Sequence, residues 1–328
     1  MWRNHVKRDK QRILWVDALK AFAIAIVILG HCLQFTDVNG ILYEYITLIQ
    51  MPLFMAISGY CSYKISMSSE NIKKRFCQLV IPFFVWPIVW YMVKMDFSGI
   101  ADYYILLPLY PDTGLWFLYI LFLISLVDFA RSKPLLMIDT NQLIGEGKKK
   151  LTQYAYEISI IGTTVFLLGV FCIYKRADLS GNWINFVALY YPYYALGCLM
   201  RKHNEWLEKH LKLIGSIGMV IYIFGTYFLE ARIWQPVLAV SGILGTFLVF
   251  RRSCDYKMPQ LIMFAGTSTL GIYAVHQPVI NYVKHIIETP AWMDVILTFV
   301  ITNIISLLIV RMLKMSKLTR FLLLGMNR

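Results

Sequence analysis

Apolar residues along this chain form ten long runs separated by short polar segments. Runs of about 17–24 residues are long enough to cross the hydrocarbon core of a bilayer as helices. Lipid offers no partner to backbone polar groups, which also favours helices. The predicted spans are 13–35, 41–63, 76–94, 114–130, 157–174, 183–200, 213–229, 233–250, 260–283 and 291–313. The pattern therefore predicts an all-α polytopic membrane protein with about ten transmembrane helices, kinked at Pro52, Pro82 and Pro87.

The composition excludes an ordinary soluble domain. Hydrophobic residues make up 58% of the 328 residues and charged residues 16%, whereas soluble domains carry roughly a quarter charged. We predict one domain over 1–328, with a basic N-terminus (1–12), a bundle (13–313) and a basic tail (314–328). No small-residue cleavage site follows Phe35, so the first run is predicted to be a retained helix. The six cysteines have neither zinc nor redox spacing, so we expect no metal site.

The basic residues behind the net charge of +13 are concentrated on one predicted side of the membrane. With the N-terminus in the cytosol, ten spans place 26 of the 32 basic residues on the cytosolic side and five on the other. This bias predicts that both termini are cytosolic. Most of the excess then sets the orientation and contacts anionic membrane lipid, and we expect no nucleic acid as a partner.

Ionisable residues inside a membrane are costly and usually functional, and five within the predicted spans are singled out. They are Asp17, Lys20, His31, Glu44 and His276. Asp17 and Lys20 are three residues apart and can pair on one helix face. Lys20 and His31 share a face at roughly 16 Å, whereas Asp17 lies roughly 21 Å from His31 and cannot touch it. The plainer alternatives are a core histidine and an ion pair that only sets the depth of the helix.

His276 lies in the outer half of the ninth span, one turn beyond Tyr273. His31 also lies past the midpoint of a span that runs outward. The two histidines could therefore share one polar cavity. The alternative is a polar patch, ended by Pro278, that only packs helices.

Several motifs taken together resemble the acyltransferase-3 family of integral-membrane acyltransferases. In chain order they are Asp17 to Lys20 with His31, Met51 to Phe54 with Ser58-Gly59-Tyr60, Lys74-Arg75 with Ile81-Pro82-Phe83, Leu115 to Leu118, Tyr193 with Leu196-Gly197, and Tyr273 to His276 with Pro278. The resemblance covers roughly residues 12–313. The chain departs from the family at Lys20, where the family often has Arg, and at Gln78, where a second Arg is common.

The resemblance implies transfer of an acyl group, commonly acetyl, from cytosolic acyl-CoA to a hydroxyl of an extracytoplasmic or lipid-linked glycan. Polysaccharide O-acetyltransferases and fucose 4-O-acetylase-like proteins belong to this family. It also implies a bacterial cytoplasmic membrane protein of cell-envelope metabolism. Acetyl-CoA is then a donor substrate, and no metal is required.

The residues can be assigned roles in such a reaction. His31 is the general base, and the candidates for stabilising the oxyanion are Tyr273, His276 and Ser58, of which Ser58 lies nearer the cytosolic end than the role requires. Lys20, with its partner Asp17, and the cations Lys73, Lys74 and Arg75 suit the donor phosphates. Trp116, Ser58 and Asp112 are candidate substrate contacts.

Other classes remain open from the sequence alone. An exporter or flippase of a lipid-linked glycan or small metabolite would also need ten helices and a polar cavity. A structural scaffold has less support, because it would not need a histidine so deep in the membrane. The acceptor sugar, the length of the acyl group and any homo-oligomer are also open.

Overall fold

The computed structural model describes residues 13–36, 38, 40–63, 69–111, 115–139, 146–179, 181–253, 259–286 and 290–326, with side chains except at 134–139, 146–153 and 231–233. These residues form α-helices and one π-helical segment, as the sequence predicts for an all-α protein. The helices are α1 (Leu14–Phe35), α2 (Ile41–Ser62), α3 (Ser69–Arg75), α4 (Ile81–Lys94), α5 (Ile100–Leu106), α6 (Trp116–Asp139), α7 (Glu146–Arg176), α8 (Trp183–Lys202), α9 (Asn204–Phe228), α10 (Ala231–Ser253), α11 (Gln260–Thr267), α12 (Thr269–Lys284), α13 (Ala291–Leu313) and α14 (Lys317–Leu324).

Within the described ranges, seven helices are long and apolar enough to cross a membrane. They are Leu14–Phe35, Ile41–Ser62, Ser69–Lys94, Tyr154–Arg176, Asn204–Phe228, Trp234–Ser253 and Ala291–Leu313. The other three predicted spans fall on α6, α8 and the α11–α12 pair. Charged residues interrupt the second half of α6, and α11 and α12 are separated at Ser268. The protein is thus a multi-pass helical membrane protein, while the count of ten and the side of the termini stay predictions.

Helix α1 lies at the centre of the bundle. It packs against α2, α10, α11, α12 and α13, and its residues from Val16 to Leu33 are largely buried. A central position in the bundle brings the face that carries Lys20 and His31 against protein rather than lipid. Polar side chains on that face can therefore be satisfied by neighbouring helices.

The kink predicted at Pro82 is a π-helical segment, Phe76–Val80, between α3 and α4. The amide of Ile81 donates to the carbonyl of Phe76, five residues earlier, instead of four. Proline lacks an amide hydrogen and its ring crowds the carbonyl four residues before it, so the wider turn accommodates Pro82 within a continuous helix. This turn brings Arg75 and Leu79 towards the interior of the bundle.

The ninth predicted span is divided at Ser268, where α11 ends and α12 begins. Lys314 donates a 2.6 Å hydrogen bond to the Ser268 hydroxyl from the end of α13. At Gly266 the backbone of α11 approaches α1 so closely that a Cβ atom would lie 2.0 Å from the carbonyl oxygen of Asp17. The start of α12 is therefore fixed by both α1 and α13.

The predicted basic tail contains a helix that packs on the bundle. Leu323 and Leu324 of α14 are buried, and the Trp86 indole donates to the Leu323 carbonyl at 2.9 Å. Gly325 follows with φ 63°, beside the backbone of the π-helical segment. The C-terminal residues thus pack directly against the segment that positions Arg75.

Candidate active site: two cavities that meet at Tyr273

His31 and His276 lie together in one cavity of about 140 Å³, the histidine cavity. Their ring centroids are 5.2 Å apart, although the residues are 245 positions apart in the chain. The cavity is lined by His31, Trp90, Leu115, Trp116, Tyr273, Ala274, His276 and Gln277. Four helices, α1, α4, α6 and α12, and the residue preceding α6 supply this lining.

The two imidazoles differ in their hydrogen bonds and in their exposure. Nδ1 of His276 is 2.7 Å from the carbonyl oxygen of Tyr273 and must donate, because a carbonyl only accepts. In the neutral ring, Nε2 of His276 is therefore an acceptor, and it is buried without a partner among the described residues. His31 is more accessible and hydrogen-bonds to the side chain of Gln34. A substrate would meet His31 first, with His276 behind it.

Lys20 lines a second cavity of about 110 Å³, the lysine cavity. Its walls are Lys20, Met51, Phe54, Ile57, Ser58, Leu79, Phe117, Leu118, Leu121, Thr269, Leu270 and Tyr273. Apolar side chains predominate, with one ammonium group and a few hydroxyls. The predicted ion pair forms, with Nζ of Lys20 at 3.7 Å from Oδ1 of Asp17.

Tyr273 is common to both cavities. Its ring packs edge-on against Phe117, with centroids 5.6 Å apart. The residue numbers rise from the lysine cavity to the histidine cavity along α1, along α12, and from Leu79 in the π-helical segment to Trp90 in α4, whereas along α6 they fall. The two cavities therefore lie one above the other along the helix axes, and Tyr273 with Phe117 separates them. The end at which α1 begins is hereafter the near end, and the opposite end is the far end.

Arg75 lies below the lysine cavity, towards the near end. Its guanidinium donates to the hydroxyls of Ser62 on α2 and Ser125 on α6. Ser62 is one turn from Ser58, and Ser125 is one turn from Leu121, which both line the cavity. The guanidinium thus bridges two helices at the base of the cavity.

The remaining predicted donor contacts are more peripheral. Lys73 and Lys74 are exposed on α3 at the near end, adjacent to Arg75 in the chain. Asp17 is buried beside Lys20 and contacts α11 through its backbone. Asp112, the predicted substrate contact before α6, lies outside the described residues.

Trp116 is held in the histidine cavity by aromatic neighbours on α8. Its ring stacks on Tyr190 at 5.2 Å and lies 5.0 Å from the ring of Phe186. Ser58, in contrast, lies in the lysine cavity and not near the histidines. Of the two predicted substrate contacts that the structure describes, Trp116 lies beside His31 and His276 and Ser58 does not.

Trp90 is a residue of the site that the sequence pattern does not indicate. It lines the histidine cavity, and its indole Nε1 is buried with no acceptor within the described part of the chain. An indole nitrogen is only a donor, and an unsatisfied buried donor is costly. A sequence signal existed, because Trp90 lies eleven residues after Leu79 in the third span, as His31 lies eleven after Lys20 in the first. This spacing alone does not identify Trp90 as a site residue, because its place in the cavity depends on how α4 packs against its neighbours.

A larger cavity of about 720 Å³ lies at the near end and is distant in the fold from both histidines. It is lined by Tyr63, Glu157, Arg201, Lys202, His203, Asn204, Glu205 and Trp206. Within this lining, the Glu157 carboxylate is already contacted by the Lys202 ammonium group at 2.7 Å and by the His203 ring at 2.9 Å. Size alone therefore does not make it the reactive site.

The fold and the two cavities define a multi-pass helical membrane protein with a pair of imidazoles in one cavity. The chain belongs to the acyltransferase-3 family, because the family's acyltransferase domain matches residues 13–311. This family match agrees with the resemblance that the motifs carry. The match includes every helix that lines either cavity.

Among curated proteins, the chain is similar to the nodulation protein NolL of Mesorhizobium japonicum. The two are 33% identical over 90 residues, which cover 24% of this chain and 24% of that protein. The chain thus matches about a quarter of the length of this relative. No solved structure matches the chain.

Proposed function

We propose that this protein transfers an acyl group, with acetyl as the best candidate, from acyl-CoA to a hydroxyl of an extracytoplasmic or lipid-linked glycan. The observation that carries the proposal is the contact of the lysine cavity with the histidine cavity at Tyr273, in a chain of the acyltransferase-3 family. One cavity suits a thioester arm and the other suits proton transfer. The donor would enter from the near end, which the charge bias predicts to be cytosolic.

The lysine cavity has the character that an acylated pantetheine arm requires. The arm is long and narrow, with amide groups along an otherwise apolar chain, and the cavity is apolar with a few hydroxyl groups. Lys20 lines it, while Arg75 and the exposed Lys73 and Lys74 lie towards the near end. These cations can attract the phosphates of the donor, whose own charges are negative.

The reaction needs only groups that line the histidine cavity. His31 accepts the proton of the sugar hydroxyl while the hydroxyl oxygen attacks the thioester carbonyl carbon. The carbon–sulfur bond then breaks, and the proton passes from His31 to the CoA sulfur. The nearby Nε2 of His276 is an acceptor in the neutral ring, so it supports the imidazolium of His31 better than it supports an oxyanion.

The oxyanion needs a donor, and the Trp90 indole is one that has no acceptor among the described residues. The hydroxyl of Tyr273, which lies between the cavities, is a second candidate. Preorganised donors of this kind stabilise charge that develops in the transition state. Trp90 therefore joins Tyr273 as a candidate for oxyanion stabilisation, while His276 is assigned to the imidazolium of His31.

An exporter is the second candidate function, because two cavities in line could form part of a path. The lining argues against it. A path for a hydrophilic glycan needs polar groups along its length, whereas the lysine cavity is mostly apolar. The acyltransferase therefore accounts better for the arrangement of the residues.

The test is turnover of radiolabelled acetyl-CoA by the purified protein in detergent, compared with His31→Gln. Glutamine keeps a polar side chain but cannot act as a base, so we expect acyl transfer to fall by about 10²–10⁴-fold. Tyr154→Ala is the control, since Tyr154 is an exposed tyrosine on α7, outside both cavities. Full O-acetylation of the glycan by His31→Gln, at a normal protein level, would refute the mechanism.

A further inference from the structure

A third cavity, of about 330 Å³, adjoins the histidine cavity at the far end of the bundle. It lies between the end of α4 and the start of α5 and is lined by Pro87, Trp90, Tyr91, Lys94, Asp96, Ser98 and Tyr103. Trp90 lines both this far-end cleft and the histidine cavity. A molecule in the cleft would therefore have one end against Trp90, the residue that also lines the cavity of the two imidazoles.

The side chains of the cleft match the surface of a sugar ring. The rings of Tyr91 and Tyr103 meet edge-on at 5.9 Å and present aromatic surface to the cleft. Asp96 and Lys94 add an acceptor and a donor of hydrogen bonds. A saccharide has apolar C–H faces and a rim of hydroxyls, so it needs both kinds of contact.

The carboxylate of Asp96 is held in one orientation. Both the hydroxyl and the backbone amide of Ser98 donate to its Oδ1, at 2.7 and 2.9 Å. These bonds, the side-chain bond first, lower the pKa of Asp96 from its usual value, with a smaller contribution from Lys94. The group is therefore ionised at neutral pH and can accept from a sugar hydroxyl.

The walls of the cleft are fixed to each other. The hydroxyl of Tyr104 on α5 donates to the carbonyl of Phe84 on α4 at 2.5 Å, and the two rings stack. Met95 ends α4 in the left-handed region with φ 53°, which turns the chain back towards α5. The cleft is thus built by two helices with a direct bond between them.

We propose that the far-end cleft binds the saccharide acceptor, with the sugar against Tyr91 and Tyr103 and its reactive hydroxyl extending past Trp90 to His31. This inference rests on the proposed acyltransferase function. Exposed apolar side chains surround the cleft, with Val93 78% and Met95 84% exposed. These apolar side chains place the cleft beside lipid, so the sugar of a lipid-linked saccharide could enter the cleft from the membrane. A free polysaccharide offers the same ring chemistry, and the experiment distinguishes the two.

The experiment uses membranes of the producing cell supplied with radiolabelled acetyl-CoA. Label is counted separately in solvent-extracted glycolipid and in water-soluble polysaccharide. We expect Tyr91→Ala and Tyr103→Ala each to lower incorporation at least tenfold, while the Kd of the purified variants for acetyl-CoA changes less than twofold. Tyr154→Ala is the matched control. The fraction that loses label identifies the carrier of the sugar.

A second variant guards against loss of folding. Ser98→Trp fills the cleft from an exposed position, and we expect it to lower incorporation without changing binding of acetyl-CoA. Normal incorporation by Ser98→Trp and by both alanine variants would overturn the acceptor site and leave the proposed function intact. Failure of the wild-type protein to bind acetyl-CoA would instead overturn the proposed function, and this inference with it.

Discussion

Arg75 and Lys74 are neighbours in the sequence, yet their side chains have different environments. The guanidinium of Arg75 donates to Ser62 and Ser125, whereas Lys74 is exposed. A planar guanidinium can bridge two hydroxyls on different helices, and an ammonium group cannot reproduce this geometry. The sequence groups both as donor-binding cations, and the structure gives Arg75 a contact between helices as well.

This difference predicts different effects on stability. Arg75→Ala removes two hydrogen bonds from a charged donor, each worth about 1.5–3 kcal/mol, so we expect a lower midpoint of thermal unfolding in detergent. Lys74→Ala should leave the midpoint unchanged. Arg75→Lys tests the two contributions separately, because lysine keeps the positive charge but cannot bridge the two hydroxyls. Equal midpoints for Arg75→Ala and Lys74→Ala would contradict the bridging role.

At the scale of single residues, the sequence identified the histidines better than their neighbours. Intramembrane ionisable groups are rare, so His31 and His276 are conspicuous in an apolar chain. Trp90 is one of nine tryptophans, and tryptophan is common in membrane proteins. Only its unsatisfied indole nitrogen, which depends on packing, distinguishes it.

Helices α2 and α8 approach each other most closely at two glycines. A Cβ atom on Gly59 would lie 1.9 Å from the carbonyl oxygen of Tyr194, and one on Gly197 would lie 1.9 Å from that of Ala56. Small residues permit such backbone contact between membrane helices. The contact fixes α2, which carries Ser58 and Ser62, and so it supports the base of the lysine cavity.

Gly59→Ala should therefore destabilise the protein, because neither backbone can yield without separating the helices. Overpacking of this kind typically costs about 1–3 kcal/mol or more. The matched control is Gly169→Ala on α7, where nothing lies within 4 Å of the added carbon. The measurement is the thermal midpoint and the folded yield by size-exclusion chromatography. A Gly59→Ala midpoint equal to that of Gly169→Ala would argue against close packing of α2 on α8.

At the scale of elements, helix positions were predicted well and their interruptions less well. The apolar runs give each helix its place, because a helix in lipid satisfies its own backbone. The break at Ser268 is different, since the Lys314 bond and the approach of Gly266 to α1 accompany it. Those partners are distant in sequence, so the local pattern reads as one continuous span.

The whole molecule offers a test of its predicted orientation. Ten spans with a cytosolic N-terminus place Ser98 outside and Ser316 inside the cell. Both positions are exposed, so each can carry a single cysteine in a variant whose six native cysteines are replaced. We expect a membrane-impermeant maleimide to label Ser98→Cys in intact cells. Ser316→Cys should react only after permeabilisation. Labelling of Ser316→Cys in intact cells would indicate an odd number of spans.

The sequence by itself determined the membrane class, the positions of the helices, the ion pair of Asp17 with Lys20 and the family. Each of these depends on neighbours within one helix or on short motifs, and lipid makes helix formation largely local. Only the tertiary structure brought His276 to 5.2 Å from His31, placed Tyr273 between two cavities and joined Trp90 to the far-end cleft. These relations arise from side-chain packing between helices, which depends on shape across large separations in sequence.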